Sequence, residues 1–62
     1  MCEANAYLYK DGKEVLFMKS VDLIDPQEGG NFLLKSIFGE QKIIHGTIKM
    51  MELVNHKVLF EE

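Results

Sequence analysis

The side chains able to ligate a metal or attack an electrophile are few in this chain: one cysteine, Cys2, and two histidines, His45 and His56. A thiolate near a chain end lies beside backbone nitrogen, so sulfur and nitrogen donors can reach one ion together. A borderline ion such as Ni(II) readily takes a square-planar N/S set, whereas structural zinc takes four tetrahedral side-chain ligands, which one copy of this chain does not convincingly offer. A twofold dimer doubles whatever Cys2 supplies. One thiolate and one nearby backbone nitrogen per chain would then complete a four-donor site on the axis. With Met1 removed, the freed α-amine can be the nitrogen donor; with Met1 kept, a deprotonated backbone amide must serve. On composition alone Cys2 reads instead as a small buried residue at a strand end. His45 before a glycine and His56 in a hairpin turn read as surface residues, far along the chain from Cys2.

Other chemistry has little to stand on. Asp22 and Asp25 bracket Leu23-Ile24 and Glu61-Glu62 ends the sequence, with no neighbouring partner that would suggest acid–base work. Gly29-Gly30 lacks the strand, helix and lysine of a phosphate loop and reads as a flexible turn. Ser20, Ser36 and Thr47 have no suitably spaced base, and nothing joins Cys2 to either histidine as a dyad. The expectation is a protein that is not an enzyme.

Charge points away from nucleic acid. Ten acidic residues against seven lysines give a formal net charge of −3, with no arginine and no tryptophan. Duplex-binding surfaces cluster Lys and Arg, because neutralising phosphates supplies most of the affinity. Here Lys10, Lys13, Lys19, Lys35, Lys42, Lys49 and Lys57 are scattered singly, as lysines are that guard edge strands. At 62 residues the chain is one small domain, 1–62. A domain of this size buries only about 60% of the surface its unfolded form exposes, so association is the expected supplement to its stability. A lone cysteine fits a reducing compartment, and neither a signal-peptide pattern nor a bilayer-length apolar run is present. The expected location is the cytoplasm.

The order of turns and apolar runs predicts an all-β fold: a small antiparallel, partly open β-barrel, SH3-like or OB-like, of about six to seven short strands. Asp11-Gly12 between residues 6–10 and 13–18 is a strong hairpin signal, since both central residues of a type I′ turn need positive φ. Residues 20–24 read as a third strand ended by Asp25-Pro26, and 32–38 as a fourth. Gly39-Glu40 reads as a two-residue turn into residues 42–45, Gly46 as a bulge or corner, and Asn55-His56 as the turn between 47–54 and 57–60. Two-residue turns set Leu8 opposite Val15, Ala6 opposite Phe17, Leu53 opposite Val58 and Met51 opposite Phe60, with Ala4 and Cys2 on the face of Ala6. Tyr7, Tyr9, Leu16 and Met18 then share the other face. That face and consecutive apolar pairs such as Leu33-Leu34 and Ile43-Ile44 predict a second covered side, supplied by a homodimer.

Met1-Cys2-Glu3-Ala4, Asp11-Gly12, residues 20–24, Ile37-Phe38-Gly39-Glu40, Gly46 and residues 52–58, in that order, resemble the CooT family of small nickel-binding proteins. The resemblance covers the whole chain. It implies a small β-barrel, a homodimer, and one Ni(II) per dimer bound through the cysteine that Cys2 matches. It also implies a role as nickel carrier or chaperone in maturing a nickel enzyme such as carbon monoxide dehydrogenase. The same family has been catalogued as predicted RNA-binding proteins, so a small RNA- or protein-binding module in which Cys2 is incidental is the alternative. Hydrogenase-maturation chaperones of the HypC type also begin Met-Cys on a small barrel, but this chain lacks the proline their opening motif carries.

Overall fold

The computed structural model describes residues 3–62. The readings that rest on Met1 and Cys2 therefore lie outside the described residues. Six strands form one sheet: β1 (Ala4–Lys10), β2 (Lys13–Gln27), β3 (Asn31–Ser36), β4 (Gln41–His45), β5 (Thr47–Glu52) and β6 (Lys57–Glu61). Their spatial order is β4-β3-β2-β1-β6-β5. The edge strands β4 and β5 are consecutive in sequence, joined by Gly46 alone, so the sheet curls back on itself at that corner without a ladder between them. This is the expected all-β, partly open barrel. Four of its strand pairs are antiparallel. The fifth, β1 with β6, is parallel, from Asn5↔Lys57 to Tyr9↔Glu61. Local turn signals report only antiparallel neighbours, and a parallel pair between the first and last strands leaves no such signal.

The first hairpin turns at Asp11 and Gly12, both with positive φ (53° and 76°), and pairs Leu8 with Val15 as the sequence predicts. One step on, the register departs from expectation: Tyr7 faces Leu16 but Ala6 faces Met18, leaving Phe17 as an extra residue. A second irregularity follows between Met18 and Val21, where Ser20 has φ 57° and its N–H is accepted by the Asn5 side-chain oxygen at 3.2 Å. Bulges of this kind shift side-chain parity and bend the strand. Met18 and Val21, which strict alternation would send to opposite faces, both enter the core. The expected grouping of Met18 with Tyr7, Tyr9 and Leu16 on an outer face is therefore corrected for Met18.

The bend also makes one strand of what the sequence divides into two. β2 runs 15 residues, pairing with β1 and then with β3, and continues through Asp25-Pro26 to Gln27. Pro26 lies opposite Phe32 near the strand's end.

Two turns are longer than expected. Between β3 and β4 the loop comprises residues 37–40, with Lys35 opposite Gln41. Its anchor is buried Ser36, whose hydroxyl accepts the N–H groups of Phe38 and Glu40, both at 3.2 Å. Between β5 and β6 the loop comprises residues 53–56, with Glu52 opposite Lys57 and Met51 opposite Val58. Leu53 is thus at the tip rather than opposite Val58, and Phe60 faces Ile48 rather than Met51.

The core gathers Ala6, Met18, Val21, Leu34, Ile44, Val58 and Phe60. Phe32 packs on Phe60 with ring centroids 5.4 Å apart. Val58, Leu59 and Phe60 are all buried, although neighbours on a strand point to opposite sides. Leu59 is covered on the outer side, where Tyr7 and Met50 flank it across the two ladders. The chain therefore supplies part of its own second layer.

Candidate metal site at the start of the first strand

What positions the start of β1 is the parallel pairing with β6. The Asn5 N–H donates to the His56 carbonyl at 2.8 Å, so Ala4 and His56 come together at one end of the sheet. His56 takes φ 51°, the conformation that turns the chain out of the loop and into β6. Its earlier reading as a turn residue holds. Its reading as remote from the first residues does not, because the fold brings sequence positions 5 and 56 into one hydrogen bond.

His45 is elsewhere. It ends β4 beside the Gly46 corner, and its Nδ1 is 2.7 Å from the Asn31 side-chain oxygen. Thr47, two positions on, faces Glu61 at the far end of β6 from His56. The separation along β6 is roughly 15 Å at about 3.3 Å per residue, too far for the two imidazoles to share one ion.

A groove of about 360 Å³ opens at the Ala4 end. Its walls are largely apolar, from Ala4, Val21, Ile24, Met51 and Val58, with Asp22, Glu52, His56 and Lys57 among the polar residues. Neither Asp22 nor Ile24 was legible as a site residue, because only the bend in β2 carries them to the start of β1. Among the described residues no three of His, Cys, Asp and Glu cluster closely enough to hold a metal. Asp25 is instead bonded to the Gln27 side chain at 3.0 Å, in keeping with its reading as a solvated carboxylate.

Lysines organise the neighbouring outer face. Lys57 is hydrogen-bonded to the Glu14 carboxylate and lies 5.2 Å from the Tyr7 ring centroid. The Glu14 hydrogen bond holds its pKa above the ordinary lysine value, with the charges of Glu14, Glu52 and Tyr7 adding to the effect and desolvation opposing it. Lys49 sits 4.9 Å from the Tyr9 centroid and 3.7 Å from Glu61. On the other side of the sheet, Lys42 covers Phe17 at 5.1 Å and donates to the Phe17 carbonyl. Three of the scattered lysines therefore set their ammonium groups over aromatic rings. Tyr7 and Tyr9 are capped within the chain.

A family model for CooT, the CO dehydrogenase accessory protein, matches residues 1–61. The chain belongs to the CooT family. The match takes in position 2, so the family's pattern extends over the chain's one cysteine. Among solved structures, a crystal structure of a protein assigned as CooT from Carboxydothermus hydrogenoformans is similar at 46% identity and a TM-score of 0.90, covering 98% of this chain and 97% of that one. No curated protein matches. The family description is that of an accessory protein rather than of a catalyst. No helix among the described residues is long and apolar enough to cross a membrane.

Proposed function

We propose that this CooT-family protein is a nickel carrier for the maturation of CO dehydrogenase, binding one Ni(II) per homodimer through Cys2. The observation that carries the reading is the family match over residues 1–61, which includes Cys2 and names an accessory protein of that enzyme. The donor chemistry supports it. The described residues offer no cluster of three ligating side chains, so a four-side-chain tetrahedral zinc site has no support there. What fits the ion is the thiolate and the backbone nitrogen beside it, taken twice, an N/S set that suits Ni(II). In this role the metal is cargo. The protein's task is to hold it by a few donors near the chain end, from which a client's ligands can take it.

The alternative of an RNA-binding module is less well supported by the lysines that flank the aromatic rings. Lys42, Lys49 and Lys57 each lie within 4.0 Å of a glutamate and over an aromatic ring, so a phosphate or a base would have to compete with partners already in the chain. The nickel reading is tested by titrating Ni(II) into the folded protein under native mass spectrometry, with absorption spectra recorded in parallel. Cys2→Ser removes binding and the thiolate charge-transfer band, and His45→Ala changes neither. His56→Ala separates the two possible donor sets: retained binding means thiolate and backbone nitrogen alone, and a weakened site means that an imidazole joins them. Nickel binding by Cys2→Ser with unchanged affinity and spectrum contradicts the proposal.

A further inference from the structure

The exposed apolar residues are unevenly placed. On the face expected to pair two subunits, Tyr7 and Tyr9 are capped by Lys57 and Lys49 and their glutamates, which leaves Leu16 as its exposed apolar residue. The loop between β5 and β6 is different. Leu53 is 78% and Val54 90% exposed, and Met51, just before them on edge strand β5, is 51% exposed. These three side chains present on the order of 400 Å² per chain, a size at which an exposed patch marks an interaction site. Directly beside them is the groove whose walls are Ala4, Val21, Ile24, Met51 and Val58. Knob and hole lie on one side of the molecule.

We propose that the Leu53–Val54 tip and this groove form the twofold interface between two copies of the chain, each tip seating in the other's groove. The proposal rests on the homodimer reading above and assigns its surface. The tip cannot fill its own groove, because Leu53 is part of that groove's wall. A second copy related by a twofold axis presents both halves of the complement at once, which is the requirement of an isologous contact. The groove, at about 360 Å³, has room for an aliphatic pair. Two such patches, with the remaining apolar walls of the two grooves at Ala4, Val21, Ile24 and Val58, approach the roughly 1,000 Å² that a specific interface needs. The tip residues Leu53, Val54, Asn55 and His56 include no carboxylate and no lysine, so seating them against the Asp22, Glu52 and Lys57 of the other copy's groove buries no like-charged pair from the tip itself. Ala4 lines the groove, so the contact brings the two β1 starts toward one axis, as a shared nickel requires.

The test is sedimentation velocity of the apo full-length chain, with chelator present, at tens of micromolar, an order-of-magnitude working range. Wild type sediments as a dimer and its melting temperature rises with concentration. Val54→Glu places a carboxylate in the interface and weakens dimerisation by at least about thirtyfold, as a central contact residue does. Because Val54 is an exposed loop residue, that monomer keeps its far-UV circular dichroism and cooperative unfolding. Phe38→Glu changes an equally bare residue, 80% exposed on the loop between β3 and β4, and stays dimeric. Cys2→Ser also stays dimeric, so loss of nickel and loss of the interface are read separately. A dimeric Val54→Glu, a Phe38→Glu that dissociates, or a monomeric wild type overturns the assignment.

Discussion

Replacing Gly46 by alanine tests the corner on which the barrel turns. Gly46 has φ 137°, outside the range that L side chains adopt readily, and is the single residue between β4 and β5. A Cβ built there falls on the Glu61 carbonyl oxygen and within 2.9 Å of both the Glu61 carbonyl carbon and the Glu62 Cα. These are backbone atoms that cannot rotate away. The backbone strain costs about 1–3 kcal/mol, and forcing the overlap apart costs roughly another 1–3 kcal/mol. Separating them pulls the end of β6 from β5 at Thr47↔Glu61 and strains the Gly46 N–H bond to the Gly30 carbonyl at 2.9 Å. At about 0.05–0.15 kcal/mol per residue, a domain this small has only some 3–9 kcal/mol in total. The predicted loss is therefore about 2–6 kcal/mol, a fall in Tm of at least about 8 °C at roughly 4–8 °C per kcal/mol. Gly12→Ala is the control, since its φ is 76° but nothing lies within 4 Å of the added Cβ. Urea and thermal unfolding of both variants at one protein concentration decide the matter. If Gly46→Ala loses no more stability than Gly12→Ala, the close approach of the corner to β6 is wrong.

Three further outcomes follow from the lysines and the core. The pKa of Lys57 is raised in the folded state, chiefly by Glu14, so its stabilising contribution is complete below the unfolded lysine value near pH 10.4 and is lost as pH rises through the folded value. Urea midpoints measured from pH 8 to 11 should fall less steeply for Lys57→Met than for wild type, and parallel curves would deny the Glu14 pairing. Phe60→Ala, at a fully buried residue whose ring packs at a tilt against Phe32, should cost about 3–5 kcal/mol by denaturant titration; a cost under about 1 kcal/mol would move the core elsewhere. Generic RNA should bind at physiological salt more weakly than about 100 μM, and a tight, salt-sensitive gel shift would show that the lysine–glutamate pairs open to phosphate.

The parts of this fold that were legible in the sequence are those written locally. Asp11-Gly12 marked its turn because two positive φ values need such residues, and Gly46 marked a corner because only glycine fits one. The failures come from long-range effects. Register counted out from Asp11-Gly12 is right to Leu16 and wrong from Phe17 on, because the bulge at Phe17 and the positive φ of Ser20 leave no periodic trace yet turn Met18 inward. Asp25-Pro26 signalled a strand end after Ile24, whereas the strand runs three residues further to Gln27, because proline near the end of a strand forfeits little of the ladder. For the site, Cys2 stood out by its chemistry, whereas His56 was set aside for its distance in sequence. Only the parallel β1–β6 pairing brings it to Asn5, and nothing in either strand's own residues predicts that pairing.

The central claim is that this chain binds nickel through Cys2, and the most direct measurement is native mass spectrometry of the wild-type and Cys2→Ser proteins titrated with Ni(II). The account predicts one Ni(II) per two wild-type chains and none at the same concentrations for Cys2→Ser, with the dimer peak retained in both. Equal nickel uptake by the two proteins would contradict it.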